Sequence, residues 1–264
     1  MDILNALFLA LLQGITEFLP ISSSGHLILV PALLGWEDQG QAFDVAVHLG
    51  SLAAVVTYFR QEWARMVSGW LRSVVGQRSA DGRLAWMVIV ASVPLALVGL
   101  LVAGWVEGHL RLPTVVAAAT AGFGVLLWAA DYFSPRRRDE HSLTVVDALA
   151  VGGAQALALI PGTSRSGITI TAALALGLNR EAAARFSFLL SVPAIVMSAG
   201  WQSLQLLGSQ GPVDWAGLGF SAAATAVFAF LAIDWFLKFT ARSGMLIFAI
   251  YRLLLTAVIL YVLV

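Results

Sequence analysis

The ten residues EFLPISSSGH, numbered 17–26, interrupt the first apolar stretch of the chain with a carboxylate, a proline, three hydroxyls and an imidazole. On either side, residues 3–18 can form about 24 Å of helix and residues 25–34 only about 15 Å, so neither crosses a hydrocarbon core of about 30 Å alone. Non-helical backbone at that depth occurs where it is buried in protein or lines a wet cavity. The stretch therefore predicts a re-entrant hairpin, in which a helix, a break and a short returning helix follow one another.

The composition places this stretch in a membrane protein. The chain has 264 residues, of which 59% are hydrophobic and only 11% are charged, whereas soluble domains are roughly 25% charged. The net charge is zero, which gives no basis for nucleic-acid binding. The chain has no cysteine, which excludes disulfides, thiolate metal sites and thiol nucleophiles.

Six further segments are long enough to span a bilayer. They are residues 43–60, 84–105, 113–133, 183–207, 214–237 and 243–264. Basic residues concentrate in the connections 60–83, 134–147 and 237–243, whereas the opposite connections contain only Arg111. The positive-inside rule therefore predicts a cytoplasmic arginine-rich face, with both termini on the outer side.

A second broken segment resembles the first. It contains LIPGTSRSG, residues 159–167, and an offset of 142 residues aligns Gln13 with Gln155 and Ser22 with Ser164. Each half, 1–134 and 145–264, then holds one hairpin and three spans, and an odd number of spans inverts the second half. We expect an all-α integral membrane fold: six transmembrane helices and two re-entrant hairpins in an inverted-topology repeat. Paired, interrupted segments of this kind indicate a membrane-embedded site.

The first hairpin carries groups suited to acid–base chemistry and anion binding. Gln13 and Glu17 are four residues apart and share one helical face. A returning helix is expected near His26, and exposed N–H groups at a helix start bind anions. Three hydroxyls precede that start, those of Ser22, Ser23 and Ser24.

The second hairpin repeats these hydroxyls and adds a cation. Ser164, Arg165, Ser166 and Thr169 follow its break. If the two hairpins meet near the midplane, Arg165 should lie beside Glu17. A guanidinium fork, hydroxyls and N–H groups together suit phosphate oxygens.

Structural explanations compete with this functional one. Glu17 alone could face a cavity or a partner charge, His26 could be a packing residue, and serine and glycine clusters commonly serve close helix packing. Arg165 is harder to explain in that way, because an unpaired arginine at depth costs at least about 2.5 kcal/mol and needs an anionic partner. The remaining polar residues of the spans are expected to pair with one another or line a vestibule. These are His48, the best auxiliary contact, with Asp44, Asp131, Asp234 and Arg252.

At these residues the chain resembles the undecaprenyl-diphosphate phosphatase family of integral membrane enzymes linked to bacitracin resistance. QGITE, residues 13–17, fits that family's Glu/Gln-x-x-x-Glu pattern, and PGTSRSGIT, residues 161–169, fits its Pro-Gly-x-Ser-Arg-Ser-x-x-Thr pattern. The chain has Gln13 where some members have glutamate. That difference weakens the case for residue 13 as a necessary metal ligand.

The resemblance implies hydrolysis of a long-chain prenyl diphosphate, undecaprenyl diphosphate, in the bacterial inner membrane, so that the lipid carrier of cell-wall precursors is reused. It implies a divalent cation, Mg²⁺ or Ca²⁺, with Glu17 and Gln13 as candidate ligands. It assigns catalysis to Glu17, Ser23, His26 and Arg165. The phosphate would be bound by Ser22, Ser24, Ser164, Ser166 and Thr169. A homodimer is compatible with the sequence, which does not fix the oligomeric state.

Two matters stay open at this level. The nucleophile is Ser23 activated by His26 or Glu17, or His26 itself, or a water molecule. The rival class is a secondary transporter or lipid flippase, because broken helices in inverted repeats are typical of transporters. A purely structural membrane subunit would leave Arg165 and Glu17 unexplained. We expect the site to open to the periplasmic side, because the first hairpin enters from that face.

Overall fold

The computed structural model describes residues 3–36, 39–110, 112–206 and 214–264, with no β-strand among them. Its α-helices are α1 Ile3–Thr16, α2 Ser23–Leu34, α3 Gln41–Tyr58, α4 Arg60–Val74, α5 Ala80–His109, α6 Pro113–Phe133, α7 Val145–Ala156, α8 Arg165–Ala175, α9 Arg180–Leu206, α10 Trp215–Thr240 and α11 Leu246–Leu263. Two 3₁₀ turns, Glu140–Ser142 and Leu157–Leu159, flank α7. The prediction of an all-α fold is confirmed.

Within the described residues, five helices are long and apolar enough to cross a membrane, namely α5, α6, α9, α10 and α11. The predicted span 43–60 corresponds to α3, which meets α4 at a bend of 77°, and the bent pair would make a sixth span. The chain is therefore a multi-pass membrane protein. Arg111 and residues 207–213, in the predicted outer connections, lie outside the described residues.

Both broken segments are interrupted where the proline and serine clusters lie. α1 ends before Glu17 and α2 begins at Ser23, while α8 begins at Arg165 after the second break. The residue before each returning helix is a serine in the left-handed region, with φ 73° at Ser22 and φ 69° at Ser164. That conformation costs a non-glycine residue on the order of 1–2 kcal/mol, so the surrounding structure must hold it in place.

The helices that precede the breaks pack on long helices of the opposite half of the chain. α1 lies against α10 and α7 lies against α5. The α7–α5 approach requires glycine, because a Cβ on Gly152 would overlap the carbonyl oxygen of Ala91. On the α1 side, a Cβ on Gly14 would come within 2.9 Å of the Ala229 nitrogen. Each break is thereby held against helices from the other half.

An aromatic core anchors the first break. Phe18 is fully buried, and its ring centroid lies 5.3 Å from that of Phe188, which lies 5.6 Å from Phe236. The Phe18–Phe188 pair is edge-to-face, a geometry that contributes about 0.5–1.5 kcal/mol beyond the burial of the ring area. The fixed Phe18 ring places its neighbour Glu17 at the interface with α8 and α9.

Candidate functional site

Glu17 is the centre of the polar cluster. Its side chain is only 8% exposed, and both carboxylate oxygens accept hydrogen bonds. Arg165 Nη2 donates to Oε1 at 2.9 Å, and Ser23 Oγ donates to Oε2 at 2.9 Å. Gln13 Nε2 donates to the same Oε2 at 3.1 Å. The structure thus brings Glu17, Ser23 and Gln13 of the first broken segment together with Arg165 of the second.

Arg165 is the first residue of α8, and its guanidinium projects back across the break. Besides the ion pair with Glu17, its Nη1 donates to the Ser187 carbonyl at 3.2 Å, and its guanidinium carbon lies 6.0 Å from the Phe18 ring centre. The anionic partner that this arginine needs at depth is therefore Glu17. Removing one member of a buried pair leaves an uncompensated charge, which typically costs about 3–5 kcal/mol.

The two breaks use their serines in the same way. Ser22 Oγ lies 3.3 Å from Ser24 Oγ, and Ser164 Oγ lies 3.3 Å from Ser166 Oγ. Ser166 also donates to the Leu19 carbonyl at 3.0 Å, which ties the second break to the first. Ser24 is exposed, whereas Ser22 and Ser166 are buried.

Thr169 lies behind Arg165 rather than beside the carboxylate. It is fully buried, and its hydroxyl bonds the Arg165 carbonyl at 2.9 Å and the Ser187 hydroxyl at 2.7 Å. Thr169 therefore fixes α8 against α9 and supports the position of the guanidinium.

His26 is held by a tyrosine of α11. Its Nδ1 donates to the Ser22 carbonyl at 2.7 Å, so Nε2 of the neutral ring accepts from the Tyr251 hydroxyl, 2.5 Å away. The two rings are stacked, with centroids 5.6 Å apart. Within the described residues no hydrogen bond joins His26 to Ser23 or Glu17. The expected cooperation between Ser23 and His26 is not a direct contact in this structure.

His48 is the histidine that approaches the carboxylate. Its Nδ1 donates to the Asp44 carbonyl at 2.7 Å, and its Nε2 lies 3.9 Å from Glu17 Oε2. The side chain is 24% exposed, which leaves one edge of the cluster accessible. This position agrees with the auxiliary contact that the sequence indicated for His48.

Arg252 and Tyr251, adjacent on α11, were not predicted to belong to the site. Arg252 is fully buried and donates to the carbonyls of Thr120 at 2.8 Å, Gly162 at 2.9 Å and Thr163 at 2.9 Å. It also reaches the carbonyl of Pro20, in the first break, at 3.5 Å. The sequence feature that could have revealed this role is the presence of an arginine within the very apolar α11.

The expectation that Arg252 pairs with an acidic residue or lines a vestibule is wrong. Its hydrogen bonds go to main-chain carbonyls of α6 and of the two breaks. The acidic candidates have other partners: Asp131 pairs with Arg180 at 2.5 Å, and Asp234 pairs with Lys238 at 2.6 Å.

The donor set near Glu17 suits a hard divalent cation. Gln13 Oε1 is buried and has no hydrogen-bond partner among the described residues, although the amide nitrogen of the same side chain is bonded to Glu17. Carboxylate, amide and hydroxyl oxygens are the ligands that Mg²⁺ and Ca²⁺ prefer. The described residues contain no group of three or more His, Asp or Glu that could hold a metal. A cation here would therefore also need oxygens from water or a ligand.

Comparisons with known proteins identify relatives along nearly the whole chain. The family model described as bacitracin resistance protein BacA matches residues 6–258. The chain is 55% identical over 264 residues to "Undecaprenyl-diphosphatase 2" of Stutzerimonas stutzeri (strain A1501), covering 98% of each protein. It is 55% identical over 262 residues to "Undecaprenyl-diphosphatase" of Nitrosococcus oceani, covering 99% of each. It is 52% identical to a protein of the same name from Alteromonas mediterranea, covering 99% of this chain and 98% of that protein.

Proposed function

Because the chain belongs to the bacitracin resistance protein BacA family, we propose that the cluster around Glu17 is the active site of an undecaprenyl-diphosphate phosphatase. The protein hydrolyses undecaprenyl diphosphate to undecaprenyl phosphate and inorganic phosphate. This reaction returns the lipid carrier to cell-wall synthesis and provides resistance to bacitracin. One observation carries the site assignment: a hydroxyl from one break and a guanidinium from the other meet on a single buried carboxylate, Glu17.

The diphosphate group would bind between the two breaks. The helices α2 and α8 both start there, and their first N–H groups carry partial positive charge that favours anions. Arg165 adds a fork of donors that matches phosphate oxygens. The exposed hydroxyl of Ser24 and the half-buried hydroxyl of Ser164 lie at the same helix starts. When the phosphate binds, Arg165 would donate hydrogen bonds to the phosphate oxygens and give up part of its contact with Glu17.

Ser23 is the nucleophile that the geometry favours. Its hydroxyl already donates to Glu17 Oε2, so Glu17 can accept the proton as the Ser23 oxygen attacks the terminal phosphorus. The bond between that phosphorus and the bridging oxygen then breaks, and undecaprenyl phosphate leaves. Water next attacks the phosphoserine, and the bond between phosphorus and the Ser23 oxygen breaks. Glu17 returns its proton to Ser23, while one proton of the attacking water leaves with inorganic phosphate and the other is released to solvent. Arg165 stabilises the charge on the equatorial oxygens in both steps.

His26 and Tyr251 would assist the phosphoryl transfer without taking part in the proton transfer between Ser23 and Glu17. The Tyr251 hydroxyl fixes the orientation of the His26 ring, and the Ser22 carbonyl fixes its tautomer. In the first turn of α2, His26 would position the substrate or carry a proton for the water that attacks the phosphoserine. This leaves His26 a role that does not require a contact with Glu17.

A divalent cation would be held by the Glu17 carboxylate and by Gln13 Oε1, which has no partner in the described part of the chain. When bound, it would supply positive charge that polarises a phosphoryl oxygen. Removing divalent ions from the purified protein with a chelator is expected to abolish phosphate release, and Gln13→Glu is expected to lower the Mg²⁺ concentration needed for half-maximal rate. Unchanged turnover after exhaustive chelation would contradict the assignment.

The inverted repeat is part of the same proposal. It is supported by the matching positive φ angles of Ser22 and Ser164, by the equivalent Ser–Ser contacts, and by the crosswise packing of α1 on α10 and α7 on α5. In this arrangement both broken segments are re-entrant hairpins that meet within the bilayer of the bacterial inner membrane.

The site is proposed to open to the periplasmic side. The chain has no natural cysteine, so a single cysteine at the exposed Ser24 gives a clean reporter. A membrane-impermeant thiol reagent should label it in spheroplasts without permeabilisation. Labelling that requires access from the cytoplasm would reverse the orientation.

Trapping the reaction on the protein tests the mechanism. With terminally labelled undecaprenyl diphosphate and a rapid acid quench, we expect acid-stable label that Ser23→Ala removes and His26→Ala keeps. Acid-labile label on His26 would instead make the imidazole the nucleophile, and no label at any quench time would indicate direct attack by water.

A further inference from the structure

His48 of α3 presents a ring nitrogen to the Glu17 carboxylate. The carbonyl of Asp44 can only accept a hydrogen bond, so His48 Nδ1, which lies 2.7 Å from it, carries the proton of the ring. In the neutral ring Nε2 then has a lone pair, and it lies 3.9 Å from Glu17 Oε2, which is too far for a hydrogen bond. Two acceptor atoms therefore face each other across a short gap.

Gln13 supplies a third acceptor at the same place. Its Nε2 lies 3.1 Å from Glu17 Oε2, while its buried Oε1 has no hydrogen-bond partner within the described part of the chain. A half-turn of the amide about its last side-chain bond exchanges these two atoms, so Oε1 would then lie where Nε2 does now.

The spacing of these atoms suits coordination of one cation. At a metal–ligand distance of about 2.1 Å, the ligand atoms of an octahedron lie about 3.0 Å apart when adjacent and about 4.2 Å apart when opposite. The separations from Glu17 Oε2, 3.1 Å on the Gln13 side and 3.9 Å to His48 Nε2, fall within that range.

The helix α10 holds both sides of the gap in place. Gly14 follows Gln13 on α1, and a Cβ there would lie 2.9 Å from the carbonyl oxygen of Thr225. Gly50 lies two residues after His48 on α3, and a Cβ there would lie 2.9 Å from the Cβ of the same Thr225. Because both helices pack closely on one residue of α10, the candidate ligands are fixed relative to each other.

We propose that His48 Nε2 is a direct ligand of the divalent cation held by Glu17 and Gln13, and that it makes the site prefer a transition-metal ion to Ca²⁺; the assignment rests on the function and the cation proposed above. A metal-ligating histidine almost always donates its other ring N–H to a carbonyl, a carboxylate or water, as His48 does to Asp44. Imidazole nitrogen suits transition metals, whereas Ca²⁺ takes oxygen ligands.

Water and phosphate oxygens would complete the coordination shell. They are needed because the described residues bring no third His, Asp or Glu to this position. The side chain of His48 is 24% exposed, so the gap is reached from the accessible edge of the cluster.

Pulsed EPR of Mn²⁺ bound to the protein, purified without a histidine tag, tests this assignment. Mn²⁺ binds most weakly of the divalent transition metals and is therefore a stringent probe. A directly bound imidazole nitrogen couples magnetically to the metal electrons, so we expect a ¹⁴N coupling in the wild type that His48→Gln removes and His26→Gln keeps.

The affinities provide a second readout. The Kd of Mn²⁺ should rise about tenfold or more in His48→Gln, because the loss of a ligand's outer partner alone typically costs about 10–100-fold. The Kd of Ca²⁺, measured by competition with Mn²⁺, should change far less, because Ca²⁺ takes oxygen ligands. An equal change for both ions would overturn the proposed preference.

Three results would overturn the assignment of His48 as a ligand. They are a ¹⁴N coupling that His26→Gln removes and His48→Gln keeps, Mn²⁺ bound without any ¹⁴N coupling, and no binding of Mn²⁺. If His48→Gln does not fold, the His26→Gln protein labelled with [¹⁵N]histidine replaces it. The coupling should then become that of ¹⁵N, and an unchanged ¹⁴N coupling would exclude histidine as its source.

Failure of the proposed function gives a different pattern. In that case the wild-type protein releases no phosphate from undecaprenyl diphosphate with Mn²⁺ or Mg²⁺, while the coupling from His48 remains. Phosphate release that a chelator abolishes, without a coupling from His48, would instead overturn only the assignment of this ligand.

Discussion

Replacing Arg252 by lysine should destabilise the protein strongly although the positive charge is kept. The guanidinium joins three carbonyls at 2.8–2.9 Å, one on α6 and two in the second break, at a position with no exposed surface. A single ammonium lacks the planar fork that serves several acceptors at once. The substitution would therefore leave buried carbonyls of the second break without donors.

The magnitude follows from the lost hydrogen bonds. Bonds to a charged group are worth about 1.5–3 kcal/mol each, so losing two of the three short ones costs about 3 kcal/mol or more. For a chain of this size, that corresponds to a fall in melting temperature of about 6–12 °C. Phosphate release should fall as well, because Gly162 and Thr163 precede the start of α8 and hence the position of Arg165.

Thermal unfolding of the purified protein in detergent, followed by the loss of the folded species in size-exclusion chromatography, measures the effect. Arg242→Lys, at an exposed position in the connection between α10 and α11, serves as the control and should have the melting temperature of the wild type. A melting temperature of Arg252→Lys within about 2 °C of the wild type would refute the structural role given to this arginine.

Three further outcomes are expected. Gly152→Ala should destabilise the protein by about 1–3 kcal/mol, because the added Cβ overlaps Ala91. Gly153→Ala should not, because a Cβ there meets no atom of the described residues within 4 Å. Equal unfolding curves for the two variants would contradict the packing of α7 on α5. Tyr251→Phe keeps the ring stack but removes the hydroxyl that fixes the His26 ring, so kcat should fall severalfold with little change in KM. A wild-type kcat would exclude a role for Tyr251 in positioning His26. The Arg138 guanidinium lowers the pKa of Asp147 to about 2. Asp147→Asn should therefore lower the melting temperature at pH 7, and the difference from the wild type should vanish as the pH falls from about 4 through 2. A difference that does not depend on pH would contradict the ion pair.

The positions of the helix breaks were predictable because proline followed by a cluster of serine and glycine disfavours continuation of a helix in an apolar segment. The contact between Glu17 and Arg165 was also predictable, since a charge at membrane depth needs a partner of opposite sign and each break supplies one. In both cases the chemical nature of a few residues determines the structure, namely where a helix ends and which charges pair.

The environments of His26 and Arg252 were not predictable in the same way. The expectation of a carboxylate partner for Arg252 failed because broken helices free main-chain carbonyls, which can satisfy a guanidinium equally well. His26 was expected beside Ser23, but Tyr251 competes for its ring from a helix far away in sequence. Periodicity and spacing along one segment do not reveal such partners from distant helices.

The predicted connection 60–83 shows a similar limit. It contains α4, which turns 77° from α3 and packs on α5 through Gly69. A Cβ on Gly69 would lie 2.6 Å from the Gly82 nitrogen, so this close approach depends on paired glycines. The arginines of the segment predict its side of the membrane, but the sequence did not predict that the segment contains a helix.

The most direct test of the active-site assignment is phosphate release from undecaprenyl diphosphate by the Arg165→Lys variant, compared with Arg180→Lys. Both arginines form ion pairs with a buried carboxylate, Arg165 with Glu17 and Arg180 with Asp131, but only Arg165 lies at the breaks. We predict that Arg165→Lys lowers kcat by about 100-fold or more, the usual effect of removing a group that stabilises the transition state, and that Arg180→Lys retains near wild-type turnover. Equal turnover in folded Arg165→Lys and wild-type protein would contradict the account.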